Sequence, residues 1–235
     1  MNDFFNKNLL IIGASSGIGN VIAQQLIEQK GTVYSASRHK PSNLEVPHFE
    51  FDASAPNLSF ISELPDVLHG VVYCPGTINL KPFQRLSQSD FLHDFQVNVL
   101  AAVAVLQATS NHLRRAKGAS VVLFSTVAVK VGMGFHASVA ASKGAIEGLG
   151  KSLSAEWAAS QIRVNVIAPS LTNTPLASQL LSTPEKQEAS NKRHPLGRFG
   201  TSLDSANLAT FLLSDAASWM TGQVIGVDGG LGNLR

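Results

Sequence analysis

The sequence predicts an α/β fold, a single Rossmann-type doubly wound parallel sheet with helices on both faces. Three observations carry this expectation. Six short runs of β-forming residues are mostly continuous rather than alternating in hydrophobicity, as strands buried on both faces are. Stretches of helical length separate most of them, which implies repeated βαβ units. The first run also ends in a glycine-rich turn that leads into an amphipathic stretch, the way such units open.

The strands are expected at 9–12, 32–35, 70–73, 121–124, 164–167 and 224–227. The first helix follows the glycine turn and runs to about Gln29. Residues 57–64 are short for a covering helix, so that flank of the sheet is trimmed. Two longer helices lie around 97–108 and 137–155, both rich in small residues. Residues 171–200 carry Pro175, Pro184 and Pro195 amid Ser, Thr and Asn, and nothing there reads as a strand. Long loops beyond the carboxyl ends of parallel strands build the ligand crevice. This segment is therefore the expected substrate lid of a single domain spanning 1–235. Its small, polar and aliphatic composition shows no fixed charge that would select a substrate class.

Composition narrows the function. Hydrophobic residues make up 44% of the 235 residues, which excludes a disordered chain. Charged residues are only 14%, against about 25% in an ordinary soluble domain. Extensive burial or self-association accounts for such a shortage, and small residues on two long helices allow close packing across a two-fold axis. A homodimer or homotetramer is expected. The net charge of +2, with its densest clusters at Arg114-Arg115-Lys117 and Lys192-Arg193, gives no footprint for nucleic acid. Cys74 is the one cysteine, so no internal disulfide forms, and a reducing, cytoplasmic location is expected. The longest apolar run, 99–106, falls short of a membrane span, and the first residues show no signal-peptide pattern. The seven histidines are scattered without metal-ligand spacing, so no metal is expected.

The turn reads Gly13-Ala14-Ser15-Ser16-Gly17-Ile18-Gly19. Gly13 permits the tight turn, Gly17 lets a ligand approach the backbone, and Gly19 lets helix pack on strand. A diphosphate would then rest on free N–H groups at the positive end of the helix dipole. Gly13, Ser15, Ser16, Gly17, Ile18 and Gly19 are accordingly candidates for nucleotide binding. The second strand leads into Ser37-Arg38, with no carboxylate to accept bonds from a ribose. An arginine pairs instead with a 2′-phosphate. Ser37 and Arg38 thus point to NADP(H).

The glycine turn resembles that of the short-chain dehydrogenase/reductase family, T-G-x-x-x-G-x-G, with Ile12 in place of the threonine. The resemblance covers nearly the whole chain. Asp52-Ala53 matches the family's adenine-contacting aspartate and its neighbour. Cys74-Pro75-Gly76 stands within its N-N-A-G segment, keeping only the glycine. Pro169, Ser170, Thr172 and Thr174 fall in P-G-x-x-x-T, with Ser170 for glycine. Pro195-Leu196-Gly197-Arg198 and Val227-Asp228-Gly229-Gly230 match its C-terminal signatures. The resemblance implies a nicotinamide cofactor, a small-molecule substrate and pairing through the two long helices. It also implies cofactor roles for Asp52, Ala53, Cys74, Pro75, Gly76, Pro169, Thr172 and Thr174.

The family's catalytic signature is Y-x-x-x-K, with a serine about 13 residues before the tyrosine. Asn98 matches its helix asparagine and Lys143 its lysine, which puts Val139 at the tyrosine. The serine position is Thr126, directly after Ser125, and Thr126 is preferred on register. Val139 has no proton to give. His136 lies seven residues before Lys143, where the enoyl-reductase branch carries its tyrosine, and 136, 139 and 143 would share one helix face. A histidine moves protons near neutral pH. Ser138, off that face, and a water held by Lys143 and Asn98 are the other candidates; His136 could also be a plain helix-start residue. Two functions stay open. One is an NADP(H)-dependent reductase of carbonyls or activated alkenes with catalytic residues Asn98, Thr126, His136 and Lys143. The other is a cofactor-binding pseudoenzyme with a sensing or partner-binding role.

Overall fold

A computed structural model describes residues 3–234. Nine strands form: β1 (Asn8–Ile12), β2 (Thr32–Ser37), β3 (His48–Glu50), β4 (Gly70–Tyr73), β5 (Ser120–Phe124), β6 (Arg163–Pro169), β7 (Thr172–Asn173), β8 (Gly200–Thr201) and β9 (Val224–Val227). Seven of them make one sheet in the order β3-β2-β1-β4-β5-β6-β9, with every pairing parallel. The doubly wound fold read from the sequence is the one observed.

The central strands β1, β4, β5 and β6 are largely apolar because both of their faces are covered. Leu10 and Ile12 of β1 join Val121 and Leu123 of β5 in one core. Leu9 and Ile11 join Val122 and Phe124 in the other. The first core is closed by α3 (Ala101–Arg115) and α4 (Ala137–Trp157), through Val105, Leu106, Leu113, Ile146 and Trp157. The second is closed by α1 (Gly17–Glu28) and α6 (Ser202–Leu213), through Ile22, Leu26, Ala209 and Leu212. Near the chain start, Phe4 is buried in this second core.

Four details differ from expectation. The edge strand β3 has three partly exposed residues, too few to stand out as an apolar run. The lid contains strand β7, paired with β8 at its end; each is only two residues long. The lid also contains α5 (Pro184–Arg193). Thr183 caps that helix by accepting from the Lys186 N–H, and Pro184 takes its first position, where a missing N–H costs nothing. Finally, the helix expected at 97–108 extends backward through a π turn, Gln96–Leu100, into α2 (Gln88–Phe95). By length and composition the stretch Gln88–Arg115 could cross a membrane. In the fold its buried face, including Val97, Ala101 and Val105, packs on the sheet. Residues 59–63 form only a 3-10 turn, as the trimmed flank required.

Candidate active site

Strand order reverses between β1 and β4, and a crevice opens there at the carboxyl ends. The turn after β1 lies against the turn after β4: a Cβ built on Gly13 would meet the Cys74 Cβ and Pro75 Cδ, each at 3.3 Å. Gly13 has φ +89° and Gly17 φ +58°, a region that favours glycine. A Cβ on Gly19 would stand 2.4 Å from the Gly13 carbonyl oxygen, so only glycine lets α1 start this close to β1. The N-cap residue Ser16 makes no side-chain capping bond, and the first turn of α1 has no acidic residue. The N–H groups at this helix start therefore have no side-chain partner, as an anion site requires. Ser15 is partly buried and Ser16 exposed at that turn.

Below the crevice lies a cavity of about 760 Å³. Of the residues singled out by sequence, Ile18, Cys74, Gly76, Thr126, His136, Lys143, Pro169, Thr172 and Thr174 line it, together with Val139. Gly13, Ser15, Ser16, Gly17, Gly19, Ser37, Arg38, Asp52, Ala53, Pro75 and Asn98 are outside that lining. Thr174 nevertheless packs on Gly17, which joins the start of the lid to the glycine turn. Arg38 is exposed at the end of β2. The neighbouring Ser37 hydroxyl is buried and donates to the His39 carbonyl at 2.9 Å. Bonds from the Ser54 N–H and hydroxyl hold the Asp52 carboxyl below its usual range, with Arg38 and His93 adding their positive fields. Ala53 is buried beside it and accepts from Gln96 Nε2.

Lys143 is buried on α4, and its Nζ donates to the Phe124 carbonyl at 2.9 Å. Burial pulls the ammonium down to about 8, against smaller opposing effects of Cys74 and Asp94. The Cys74 thiol is pushed up to about 12 by burial, so it is protonated near neutral pH. Asn98 is fully buried at the middle of the π turn. Its Nδ2 donates to Thr77 Oγ1 at 2.9 Å and to Ser142 Oγ at 3.0 Å, while its Oδ1 has no partner. Gly76 carries no side chain where one would crowd both Lys143 Nζ (3.3 Å) and Asn98 Oδ1 (3.4 Å). Asn98 thus lies behind the cavity wall, one hydrogen bond from Thr77, which does line it. Sequence reasoning passed over Thr77, since no motif includes it.

The two adjacent hydroxyls after β5 have different partners. Ser125 Oγ donates to Glu147 Oε1 at 2.6 Å and is buried. Thr126 Oγ1 accepts only a 3.3 Å bond from the Ala128 N–H, and its own proton has no fixed acceptor among the described residues. Val139 is buried at 7% exposure in the wall. No tyrosine lines the cavity: the Tyr73 hydroxyl donates to the Val97 carbonyl at 2.6 Å, and Tyr34 lies in β2.

His136 needs one correction. It is not on the α4 face with Val139 and Lys143 but is the N-cap residue, with φ −100° and ψ 11°. It lines the same cavity all the same. Nδ1 lies 2.7 Å from the Gly134 carbonyl, which can only accept, so Nδ1 carries a proton and Nε2 is left for a ligand. Ser138 is buried, its hydroxyl without a partner, and it does not line the cavity.

The lid also differs from its expected neutrality. Lys186 and Arg193 of α5 line the cavity, and so does the buried His194 at its end. Helix α5 was hidden by the prolines of the lid. The Thr183-Pro184-Glu185 start, a capping residue followed by Pro and an acid, was the signal that could have revealed it.

A family model described as Enoyl-(Acyl carrier protein) reductase matches residues 13–232. A tropinone reductase homolog of Arabidopsis thaliana is 32% identical over 241 residues, covering 95% of this chain and 92% of the relative. A 3-oxoacyl-(acyl-carrier-protein) reductase of Thermotoga maritima is 32% identical over 243 residues, covering 96% and 97%. Among solved structures, the ligand-free aldohexose dehydrogenase of Thermoplasma acidophilum superposes with TM-score 0.92 at 26% identity, covering 98% and 95% of the two chains. An NADP active-site complex of RhlG from Pseudomonas aeruginosa gives TM-score 0.92 at 27% identity, covering 98% of each chain.

Proposed function

This chain belongs to the short-chain dehydrogenase/reductase family, and we propose that it is an NADP(H)-dependent oxidoreductase. Its substrate is a small molecule with a carbonyl or an activated alkene, and its proton donor is not a tyrosine. One observation carries the reading: Lys143, Thr126 and His136 converge on the cavity that also holds Ile18, Thr172 and Thr174. Groups that would orient a nicotinamide, polarise an oxygen and hold a proton thus share one space.

The residues present fit the cofactor. The α1 start offers N–H groups without side-chain caps, and glycine is required where the backbone turns and where α1 meets β1. Arg38 is exposed beside them for a 2′-phosphate, and a cofactor of that kind is bound in the RhlG complex. When bound, NADPH supplies the hydride. Lys143 would hold the nicotinamide ribose, and Asn98 sets the wall behind it through Thr77. Thr126 would donate its unassigned proton to the substrate oxygen. His136, with Nδ1–H fixed on Gly134, would hold the transferable proton on Nε2. Asp52 and Ala53 would face the adenine, and Pro169, Thr172 and Thr174 the nicotinamide. We place the protein in the cytoplasm as a homodimer or homotetramer, with 171–200 as the lid.

The buried Val139 favours the pseudoenzyme as the second reading, because loss of a positioned acid alone costs about 10²–10⁴ in rate. The decisive experiment screens NADPH oxidation against aldehydes, ketones and enones, in parallel with a fluorescence titration of NADPH. Turnover is expected with at least one class. Tight NADPH binding without turnover, also in Val139→Tyr, would replace the reductase by the pseudoenzyme.

A further inference from the structure

The cavity has an unbalanced charge. Lys143, Lys186 and Arg193 line it with two histidines, and among the described residues no Asp or Glu does. Behind the wall, Asp94 offsets part of the Lys143 charge and Glu147 is engaged by Ser125, while Asp204 and Asp228 face a separate cleft of about 280 Å³, where Arg198 pairs with Asp204 at 2.8 Å. Lys143 is deep and bonded to the Phe124 carbonyl. The other two cations are seven residues apart on α5, hence on one side of that helix, with Ala189 between them also in the wall.

Nothing on α5 neutralises them. Glu188 pairs with Lys192 at 2.6 Å, and Glu185 bonds to the Thr183 side chain at the helix start; neither reaches the cavity. Lys186 Nζ donates to the Gln179 carbonyl and to Ser182 Oγ, both at 2.9 Å, which leaves a third donor. The Arg193 guanidinium makes no hydrogen bond or ion pair among the described residues. Much of the remaining wall is apolar, with Ile78, Leu80, Met133, Leu176 and Leu180 in it.

We propose that the site takes an amphipathic oxo acid, its keto group at Thr126 and a remote carboxylate on Arg193, with Lys186 reinforcing the charge. The guanidinium fork matches a carboxylate in two parallel bonds, which a single ammonium does not. The aliphatic wall takes the spacer between the two polar ends. A carboxylate there brings the counter-charge that α5 lacks. The proposal rests on the reductase reading for the keto end alone; the carboxylate end is testable by binding.

The test is calorimetric titration of octanoate into the NADPH-saturated protein, with octanol, methyl octanoate and octyl phosphate as comparisons. Octanoate is expected to bind about tenfold or more tightly than octanol or the ester, as one charge-assisted contact gives. Arg193→Gln should remove that advantage and Lys186→Gln should reduce it, with NADPH affinity unchanged in both. Equal binding of octanol or the ester overturns the proposal. Tighter octyl phosphate overturns the carboxylate in favour of a phosphate. A loss of NADPH affinity in Arg193→Gln, with octanoate unaffected, overturns it in favour of a cofactor role for α5. A parallel assay uses an oxooctanoate with its keto group far from the acid. Octanoate binding that depends on Arg193, without turnover of this compound, sinks the reductase reading and leaves the carboxylate site standing.

Discussion

His194 Nε2 lies 2.8 Å from Ser170 Oγ, and this contact ties the end of the lid helix to the end of strand β6. His194 is only 5% exposed, and its Nδ1 donates to the Ser190 carbonyl at 2.7 Å. With a proton on Nδ1, Nε2 makes the second bond, to the serine hydroxyl. Both nitrogens are satisfied, so the ring is a fixed link. Ser170 replaces the family glycine, which could not make this bond. Removing the ring leaves the partly buried Ser170 hydroxyl and the Ser190 carbonyl without their partner. His194→Ala should therefore speed amide hydrogen exchange across 171–200 by tenfold or more and raise KM. Ser170→Gly should do the same more weakly. Unchanged exchange in His194→Ala would show that the lid is held elsewhere.

Lys143 gives a pH signature. Burial lowers its ammonium to about 8 from the 10.5 of an exposed lysine. Between those two values the unfolded chain binds the proton and the folded chain has released it, so stability rises with pH. Below about 8 both states are charged and the full cost of burial remains. In the cofactor-free protein, wild type should gain roughly 2–4 kcal/mol relative to Lys143→Met as pH rises from 7.5 to 10.5. Urea melts across that range check it. A gap between the two proteins that does not change with pH would contradict the low value.

Arg38 should decide the cofactor. NADPH should bind at least about tenfold tighter than NADH, as expected for a charge-assisted contact. Arg38→Ala should remove most of the difference while leaving NADH affinity nearly unchanged. Equal affinities in the unmodified protein, measured by fluorescence titration, would assign NAD(H) instead.

The proton donor can be tested at two positions. His136→Ala should lower turnover by about 10²-fold or more and leave NADPH affinity nearly unchanged. Val139→Tyr, beside Lys143 and Thr126, should raise activity on simple carbonyls. Full turnover in His136→Ala would transfer the role to a water held by Lys143.

Self-association should follow from what the fold leaves exposed. Leu92, Phe95 and Leu100 are uncovered along the α2–α3 helix, and Ala137, Ala141, Gly148, Ser152 and Ala155 are exposed along α4. Trp219 is 99% exposed as well. Apolar and small residues on neighbouring helices suit a close two-fold contact. Light scattering at micromolar concentration should give a dimer or tetramer, and Leu92→Glu combined with Leu100→Glu should weaken it. A monomer would remove this expectation.

The strands and the glycine turn were legible in the sequence because their signals are local. A strand buried on both faces must be apolar throughout, and residues 70–73, all buried, show it to the residue. Gly13 answers to a positive φ, which favours glycine, and Gly19 to a 2.4 Å approach that leaves no room for a Cβ. The seven-residue spacing of His136 and Lys143 likewise placed both at one cavity. Spacing could not tell a helix position from its cap, because where α4 begins is decided by the chain before it. The charge of the cavity, the Thr77 link to Asn98 and the pairing of Ser170 with His194 came only from the tertiary structure. Those two pairs join residues 21 and 24 positions apart. A side chain's partner across such a distance depends on how helices and sheet pack, and the local pattern of a sequence records only which face of each element is apolar.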